Sequence, residues 1–426
     1  MPAIIEFPTL VQEAVEQLGA IFANAPERRH FAEYLTGLLV AEKKTVAGIN
    51  AEFAQTTDQS CLNRWSTEVD WDVAKLHEQR LAWWQADPQT RYAPSGVIPI
   101  DNTLVDHRGK LIEEVGDFGD HAEQRHKIAH DDLIANYVCP SGKHDALEFR
   151  RFRKRAECET QQARLAAQPG GVAAATEEDQ RLATFKTHPV LCCELVDRVV
   201  EQQIPGTVAF DSYFTTAPIC NPIAQHERAD VGDLKFNRKV WFRGMELRAE
   251  ERAAQIPVGD RKKVTRGERT QWYFTKKIWL PEYTHAVRVV SLWEHWHGKE
   301  PVKILITNQT HWDVTRVLRG EGQRWTGTET RQRDGKPHLG LGDCQLRSGE
   351  GQTRHLYLGL LVHRLRVAQL RQGRGRAGAH ETLTTIGEAC RAVMRETLGK
   401  TITWVIERAT LDGWHPERIK PHLALT

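Results

Sequence analysis

Two short apolar runs that each end in an aspartate constrain the fold of this chain most. Residues 97–101 are Val-Ile-Pro-Ile-Asp, and residues 206–211 are Gly-Thr-Val-Ala-Phe-Asp. Both runs are short and rich in residues that favour buried strands. Helical spacing surrounds them, so the sequence predicts an α/β fold in which helices cover a sheet. Pro99 lacks a backbone N–H, so we expect an edge or irregular position for the first strand.

The composition is typical of a globular protein. Of the 426 residues, 40% are hydrophobic and 27% are charged. No apolar run reaches the ~18 residues that span a bilayer, and residues 1–10 lack the basic and apolar parts of a secretion signal. The eight cysteines include no Cys-x-x-Cys pair, so a structural zinc site has no support. We therefore expect a cytoplasmic protein without a membrane partner, and in a bacterium the cytoplasm includes the nucleoid.

Changes of pattern along the chain predict five regions. Helical spacing dominates up to a Pro-Ser-Gly break at 94–96. Beyond it we predict a turn at 116–119 and strands at 133–138 and 302–307, and β-branched and aromatic residues concentrate at 271–274 and 286–290. The predicted regions are a helical N-terminal region at 1–94, the first part of an α/β core at 95–234, a β-rich insertion at 235–300, the second part of the core at 301–372 and a helical tail at 373–426.

The basic residues are clustered, although the net charge is only +2. Such clusters can neutralise DNA phosphates, and they are also common on solvated helix surfaces. The three clusters are Arg150, Arg151, Arg153, Lys154 and Arg155; Lys235, Arg238, Lys239 and Arg243; and Arg364, Arg366, Arg371, Arg374 and Arg376.

Asp101 and Asp211 stand at the ends of the two predicted strands. In α/β sheets, catalytic groups gather at strand ends, where side chains leave the core and meet solvent. A single aspartate at a strand end is more commonly a turn or cap residue. The surrounding motifs decide between these interpretations.

Several motifs occur together around these residues. They are IPIDNTL at 98–104, FDSYF at 210–214, DLKFNRK at 233–239, Arg324-Trp325 with Glu329 and RDGK at 333–336, and LGLGDCQLRS at 339–348 with Arg354-His355. In this order and spacing they resemble bacterial insertion-sequence transposases of the DDE class. The resemblance extends from about residue 29 to the C-terminus.

The resemblance implies a ribonuclease-H-like mixed sheet with flanking helices, interrupted by the β-rich insertion, and helical terminal regions of which the first binds DNA. It also implies a catalytic, metal-binding triad of Asp101, Asp211 and Glu329. Two Mg²⁺ ions would be the cofactors, and Mn²⁺ could substitute. Hard cations prefer carboxylate oxygens, and a pair of them suits phosphodiester cleavage.

The resemblance also points to residues that contact DNA. The family uses a lysine seven residues after the catalytic glutamate to hold a phosphate near the cleaved bond, and Lys336 has that spacing. Arg333 shares its helix face with Glu329. Together with the basic clusters, the residues expected to contact DNA are Lys336, Arg333, Arg324, Lys235, Arg238, Lys239, Arg150, Arg151 and Arg153.

The segment before Glu329 departs from the family pattern. Four residues separate Arg324 from Glu329, whereas three are usual. We expect the extra residue in a loop before a helix that begins near Thr328, where a glycine and a threonine suit a helix start. Absorption within the helix would turn Glu329 away by about 100°. The alternatives for the third carboxylate are Glu321 and Glu350.

The implied reaction is hydrolysis at transposon ends, followed by joining of the freed 3′-hydroxyl to target DNA. The partners would be double-stranded DNA, as terminal inverted repeats and target, and a second copy of the chain, since both ends must be cut together. Two alternatives stay open. One is a catalytically inactive, domesticated descendant that regulates by binding DNA, and the other is a host nuclease of the same fold without strand transfer.

Overall fold

The computed structural model describes residues 4–120, 123–169, 171–242, 244–330, 340–372, 383 and 385–423. Within these residues the chain is a mixed α/β protein, which confirms the predicted class. It divides into two compact units. The first comprises residues 1–87, 104–130 and 332–426, and the second comprises residues 88–103 and 131–331. Both candidate aspartates belong to the second unit.

Helices begin where short polar side chains can cap them. Asn24, Asp72 and Asp313 each accept a hydrogen bond from a backbone N–H of the first turn that follows. The α-helices are α1 (Thr9–Leu18), α2 (Ala25–Val40), α3 (Val46–Asn50), α4 (Gln59–Thr67), α5 (Val73–Ala86), α6 (Arg155–Ala166), α7 (Glu177–Ala183), α8 (His188–Glu201), α9 (Ala217–Gln225), α10 (Ala249–Ala254), α11 (Val314–Trp325), α12 (Gly349–Gln372), α13 (Ile386–Thr410) and α14 (Pro416–Ile419). The other helical elements are 3₁₀-helices at Gly19–Ile21, Gly171–Ala174, Val258–Asp260 and Lys420–Leu423, and a π-helix at Thr326–Thr330, called the π segment below. In the ranges that the structure describes, no helix is both long enough and apolar enough to cross a bilayer.

The strands include those predicted at 133–138, 206–210 and 302–307. They are β1 (Val97–Asp106), β2 (Gly116–Asp120), β3 (Arg125–Val138), β4 (His144–Phe152), β5 (Thr207–Phe210), β6 (Asp230–Asp233), β7 (Lys239–Phe242), β8 (Met245–Arg248), β9 (Lys262–Arg266), β10 (Arg269–Ile278), β11 (Val287–Trp293) and β12 (Lys303–Thr307). The predicted turn at 116–119 is wrong, because β2 pairs there with the start of β3. β2 is an edge strand, where glycines such as Gly116 and Gly119 are tolerated.

One mixed sheet organises the second unit. Its order is β3-β1-β5-β6-β12-β11-β10-β9, and β4 pairs with β3. β1, β5 and β6 are parallel, whereas the pairs from β6 to β9 are antiparallel. The strands β9 to β11, which fall in the predicted insertion at 235–300, therefore extend this sheet. The division into five regions stays a prediction.

The edge position expected for the first strand is wrong. β1 lies between β3 and β5, and the segment around Pro99 is buried. A proline removes only one donor from the ladder. Its ring lies against Gly327 of the π segment, where the absence of a side chain leaves it room.

Alternating residues bury both faces of the sheet. Val231 and Leu305 pack with Leu318 of α11 in one cluster. Ile306 packs with Cys220 of α9 in another. Because neighbouring strand residues point to opposite faces, α11 and α9 cover opposite sides of the sheet.

Aromatic packing builds the first unit. Trp65 stacks on Trp71 with 5.4 Å between ring centroids. The Tyr34 hydroxyl hydrogen-bonds Nδ1 of His355 at 2.8 Å, and Nε2 of His355 donates to the Gly340 carbonyl at 2.9 Å. Burial lowers the pKa of His355 to about 4, so its ring is neutral near pH 7. The Arg354-His355 motif thus ties α2 to the segment before α12.

A buried carboxyl makes the stability of the second unit depend on pH. Asp230 is 3% exposed and accepts a 2.8 Å hydrogen bond from the Asn308 N–H. Burial raises its pKa to about 7, although that bond and one from the Cys220 thiol act in the opposite direction. A raised carboxyl pKa means that the folded protein binds this proton more tightly than the unfolded chain does. Folding stability from this group is therefore highest below about pH 4 and falls as the pH rises to about 7.

We expect Asp230→Asn to raise the melting temperature at pH 8 by about 3 °C or more, and to change it much less at pH 5. Asparagine keeps an acceptor for the Asn308 N–H but carries no charge to desolvate. Thermal unfolding of both proteins across this pH range measures the effect. An equal shift at both pH values would contradict the assignment.

Candidate active site

Two parallel strands, β1 and β5, bring Asp101 and Asp211 towards each other. Pro99 of β1 pairs with Ala209 of β5, at an offset of 110 residues. The two aspartates are separated by the same offset, so Asp211 continues the register as the partner of Asp101. Neighbouring strands lie about 4.8 Å apart. Both aspartates are partly exposed, so their carboxylates can meet a ligand from solvent.

The two aspartates occupy different places in their strands. β1 runs on to Asp106, so the expectation that Asp101 ends its strand is wrong, whereas Asp211 directly follows β5. Oδ1 of Asp211 accepts the backbone N–H groups of Tyr213 at 2.9 Å and Phe214 at 3.1 Å. Such a turn is one that aspartate favours, and it fixes the orientation of this carboxylate.

A buried thiol responds to both carboxylates. Cys192 of α8 is 0% exposed. Burial raises the pKa of its thiol well above the usual value, and the charges of Cys193, Cys220, Asp211 and Asp101 raise it further. The thiol stays protonated, which excludes Cys192 as a nucleophile.

The π segment packs against β1 on one face of the sheet. A Cβ added to Gly327 would lie 2.4 Å from Cγ of Pro99 and 2.6 Å from Cγ2 of Val138. The helix therefore touches β1 two residues before Asp101. Alternate strand residues share a face, so Pro99 and Asp101 lie on the side that the π segment covers.

The helix start predicted near Thr328 is wrong. α11 begins at Val314, where Asp313 caps it, and passes directly into the π segment. The hydroxyl of Thr328 bonds the Arg324 carbonyl at 3.1 Å instead of capping a helix. A π turn closes over one residue more than an α turn. The segment before Glu329 is therefore helical rather than a loop.

Asp233 of β6 adds a third carboxylate beside Asp101 and Asp211. Val231 pairs with Ala209, so Asp233 is the register neighbour of Asp211. Its Oδ2 lies 3.5 Å from Nζ of Lys303 and 3.6 Å from Nη2 of Arg324. Burial raises the pKa of Asp233, against the opposing effect of these two cations. This ion-pair cluster holds the last α-turn before the π segment against the sheet.

Arg324 and Glu321 both belong to that cluster. Arg324 is 5% exposed, so in this conformation its guanidinium faces Asp233 rather than solvent. The Glu321 carboxylate lies 2.6 Å from Nζ of Lys303, beside Asp233. Along the sheet, Asp211 therefore lies between this cluster and Asp101. The other alternative, Glu350, lies in the first unit and pairs with Arg354. Neither glutamate is brought next to Asp101 by these contacts.

Asp131 and His188 are site residues that the sequence reasoning missed. Oδ1 of Asp131 accepts a 3.0 Å hydrogen bond from the Asn102 amide, and its Oδ2 lies 2.8 Å from Nε2 of His188. Asp131 is 3% exposed, and the His188 ring stacks on Phe152 at 4.0 Å. The buried carboxylate thus ties the residue after Asp101 to the start of α8. Only the Asn102 position lay in a recognised motif, so the sequence carried no signal for this pair.

The basic residues expected to contact DNA differ in their surroundings. Arg151 is buried and forms a 2.8 Å ion pair with Asp132. Lys235 is exposed and lies 5.6 Å over the Tyr213 ring. The remaining contacts join Arg150 to Glu148 and Glu194, Arg153 to the Leu182 carbonyl, Arg238 to the Thr215 carbonyl and Lys239 to Glu246. Arg151 and Arg324 are therefore the two of these that are themselves buried and ion-paired.

Three of the predicted site residues lie wholly or partly outside the described residues. Arg333 and Lys336 fall in the gap at 331–339, and Glu329 is described only as a member of the π segment, without its side chain. Among the described residues, no three or more His, Cys, Asp and Glu side chains are grouped closely enough to hold a metal ion. The triad as a whole therefore stays a prediction.

Two comparisons with known proteins give no match for this chain. No protein-family model matches it, and no curated protein matches it significantly. What the chain does must therefore be argued from its own residues.

Proposed function

We propose that the chain is a metal-dependent DNA transposase of the DDE class, with a ribonuclease-H-like core and Asp101, Asp211 and Glu329 as its triad. One observation carries the proposal. The strand register sets Asp101 beside Asp211, and the π segment that contains Glu329 packs on the face of β1 to which Asp101 belongs. These positions support the proposal that three acidic residues far apart in sequence contribute to one site.

The donor set fits hard divalent cations. The two aspartates offer partly exposed carboxylate oxygens, the ligands that Mg²⁺ and Mn²⁺ prefer. A pair of such ions, when bound, would activate the attacking oxygen and stabilise the leaving oxygen of a phosphodiester. The Cys192 thiol is buried and its pKa is raised, so it offers no thiolate ligand, and the donors brought together here are carboxylate oxygens.

The residues around the aspartates would hold this site in place. Backbone N–H groups orient Asp211, and Asp131 anchors Asn102, the residue after Asp101. The pair of Asp233 and Arg324 would fix the helix that leads to Glu329. A preorganised site of this kind lowers the barrier because its groups need not reorganise during reaction.

Exposed cations near the aspartates would bind the DNA backbone. Lys235 lies over the ring of Tyr213, two residues after Asp211. Arg238 and Lys239 follow it, and Arg150 and Arg153 would add contacts beyond β4. In the family-like arrangement, Lys336 and Arg333 would hold the phosphate beside the cleaved bond. The buried ion pairs of Arg151 and Arg324 favour structural roles for these two residues over contacts with DNA.

The reaction would be hydrolysis at transposon ends and attack of the freed 3′-hydroxyl on target DNA, carried out in the nucleoid by two copies of the chain. Because the segment before Glu329 is irregular, a second candidate function stays open, that of an inactive descendant that regulates by binding DNA. The π segment favours the active enzyme, because it offers a way for the extra residue to be absorbed without a broken helix.

We expect Mg²⁺ or Mn²⁺ to support cleavage of DNA carrying the inverted repeats that flank the gene, and Ca²⁺ to support binding with at least about 100-fold slower cleavage. Ca²⁺ takes similar ligands at longer distances and with looser geometry. Gel analysis of end-labelled DNA, with a binding assay in parallel, measures both steps. Equal cleavage in excess chelator would refute a metal mechanism. Binding without cleavage in any metal would favour the inactive regulator, and cleavage without a joined product would favour a host nuclease.

A further inference from the structure

A cavity of about 320 Å³ lies beside α8 in the second unit. Charged side chains from four segments line it, namely the end of β4 with the residue after it, helix α7, the loop before α8, and α8 itself. These are Arg150, Arg151, Arg153, Arg181, Lys186 and Glu194. Five cations thus face one carboxylate across a space large enough for a phosphate group.

Glu194 is the internal counter-ion of this cavity. Its carboxylate lies 2.7 Å from Nζ of Lys186 and 3.5 Å from Nε of Arg150. These side chains are about a third exposed, and ion pairs of that kind contribute little stability. An incoming phosphate can therefore replace Glu194 as their partner at small cost.

Arg153 supplies a further observation. Its guanidinium donates to the Leu182 carbonyl, which fixes the side chain at the cavity wall. Its Nε is buried, and no hydrogen-bond partner for it exists among the described residues. A buried donor without a partner is costly, and the negative charge of a nearby phosphate would offset part of that cost. Arg151, in contrast, is already paired with Asp132 at 2.8 Å.

The cavity adjoins the acidic site through a row of aromatic rings. Lys186 lies two residues before His188, whose ring stacks on Phe152 at 4.0 Å. The same ring lies 6.0 Å from that of Tyr213, and the Tyr213 N–H donates to Asp211. A polyanion that passes Asp211 can therefore reach the cavity along this surface.

We propose that the cavity binds one backbone phosphate of the DNA, with Lys186, Arg150 and Arg153 as its ligands and Glu194 as the group that the phosphate displaces. This assignment rests on the proposed function, in which DNA is the substrate. It adds Lys186 and Glu194 to the DNA-contacting residues, and it replaces a diffuse basic surface by a single phosphate pocket. A contact of this kind positions the duplex without reading its sequence.

The test compares DNA binding by Arg153→Gln/Lys186→Gln with binding by the wild type. Fluorescence anisotropy with labelled duplex, in Ca²⁺ so that little cleavage occurs, gives the dissociation constant at several KCl concentrations. We expect binding at low salt to weaken about tenfold or more. The slope of the logarithm of affinity against that of salt should become shallower by about 0.9, because the variant neutralises one phosphate fewer.

A matched control removes the same charge outside the cavity. Arg164 of α6 and Arg198 of α8 are exposed and do not line it, so Arg164→Gln/Arg198→Gln should leave the slope unchanged. Glu194→Gln should act in the opposite direction and tighten binding several-fold, because it releases Lys186 and Arg150. Equal effects of the two double variants, or weaker binding by Glu194→Gln, would overturn the proposal.

Free phosphate provides the second arm. Inorganic phosphate should raise the melting temperature of the wild type above that in chloride of equal ionic strength, and it should not do so for Arg153→Gln/Lys186→Gln. If phosphate stabilises the wild type but the double variant binds DNA normally, the ligand is a free anion and the DNA assignment is wrong. These measurements do not use cleavage, so a failure of the proposed enzymatic activity leaves their outcome readable.

Discussion

Asp101→Asn and Asp211→Asn are each expected to lower DNA cleavage by about 1,000-fold or more while leaving DNA binding largely unchanged. The change is nearly isosteric, but it removes a charge where divalent cations would be bound. The pairing of β1 with β5, continued by two residues, sets Asp101 opposite Asp211, and each would supply its own ligand oxygens, so neither can take over the role of the other. Single-turnover cleavage with Mg²⁺, together with anisotropy in Ca²⁺, separates chemistry from binding.

The control for this experiment lies on the same strand. Asp106 ends β1 and pairs with Lys127 at 3.1 Å, so Asp106→Asn should keep cleavage within about twofold of the wild type. Cleavage within tenfold of the wild type in either aspartate variant would remove that residue from the triad. Loss of activity in the Asp106 variant as well would point to general sensitivity of the fold to charge changes.

Gly327→Ala should lower cleavage by about 100-fold and destabilise the fold by about 1–3 kcal/mol. The added methyl group would lie 2.4 Å from Pro99 and 2.6 Å from Val138, closer than packed atoms can approach. Overpacking of that kind lowers the free energy of unfolding by about 1–3 kcal/mol. It also pushes the π segment away from β1. A shift of about 1 Å in a catalytic group is enough to cost about 100-fold in rate.

Gly322→Ala is the matched control in the neighbouring helix. A Cβ there would meet only the end of the flexible Arg266 side chain, at 3.3 Å. Alanine in a helix interior is more stable than glycine by about 0.5–1 kcal/mol. This variant should therefore melt at or above the wild-type temperature and cleave normally. Full activity in Gly327→Ala would show that the position of the π segment does not govern the chemistry.

The sequence by itself determined the α/β class and the strands that bring the two aspartates forward. Residues 97–101 and 206–211 are short buried runs whose pattern depends only on neighbours in the chain. The helices at both ends and the strand at 302–307 followed from local periodicity in the same way.

The tertiary structure alone decided which side chains are available and how the third acidic segment is shaped. Arg151 and Arg324 belong to basic motifs, yet both are buried, where they pair with Asp132 and Asp233. Asp131 and His188 are joined across 57 residues, and the π segment forms where Gly327 must pass Pro99. Each of these features depends on a partner distant in sequence. The free energy that selects them comes from packing and charge pairing across the sheet, which local propensity does not contain.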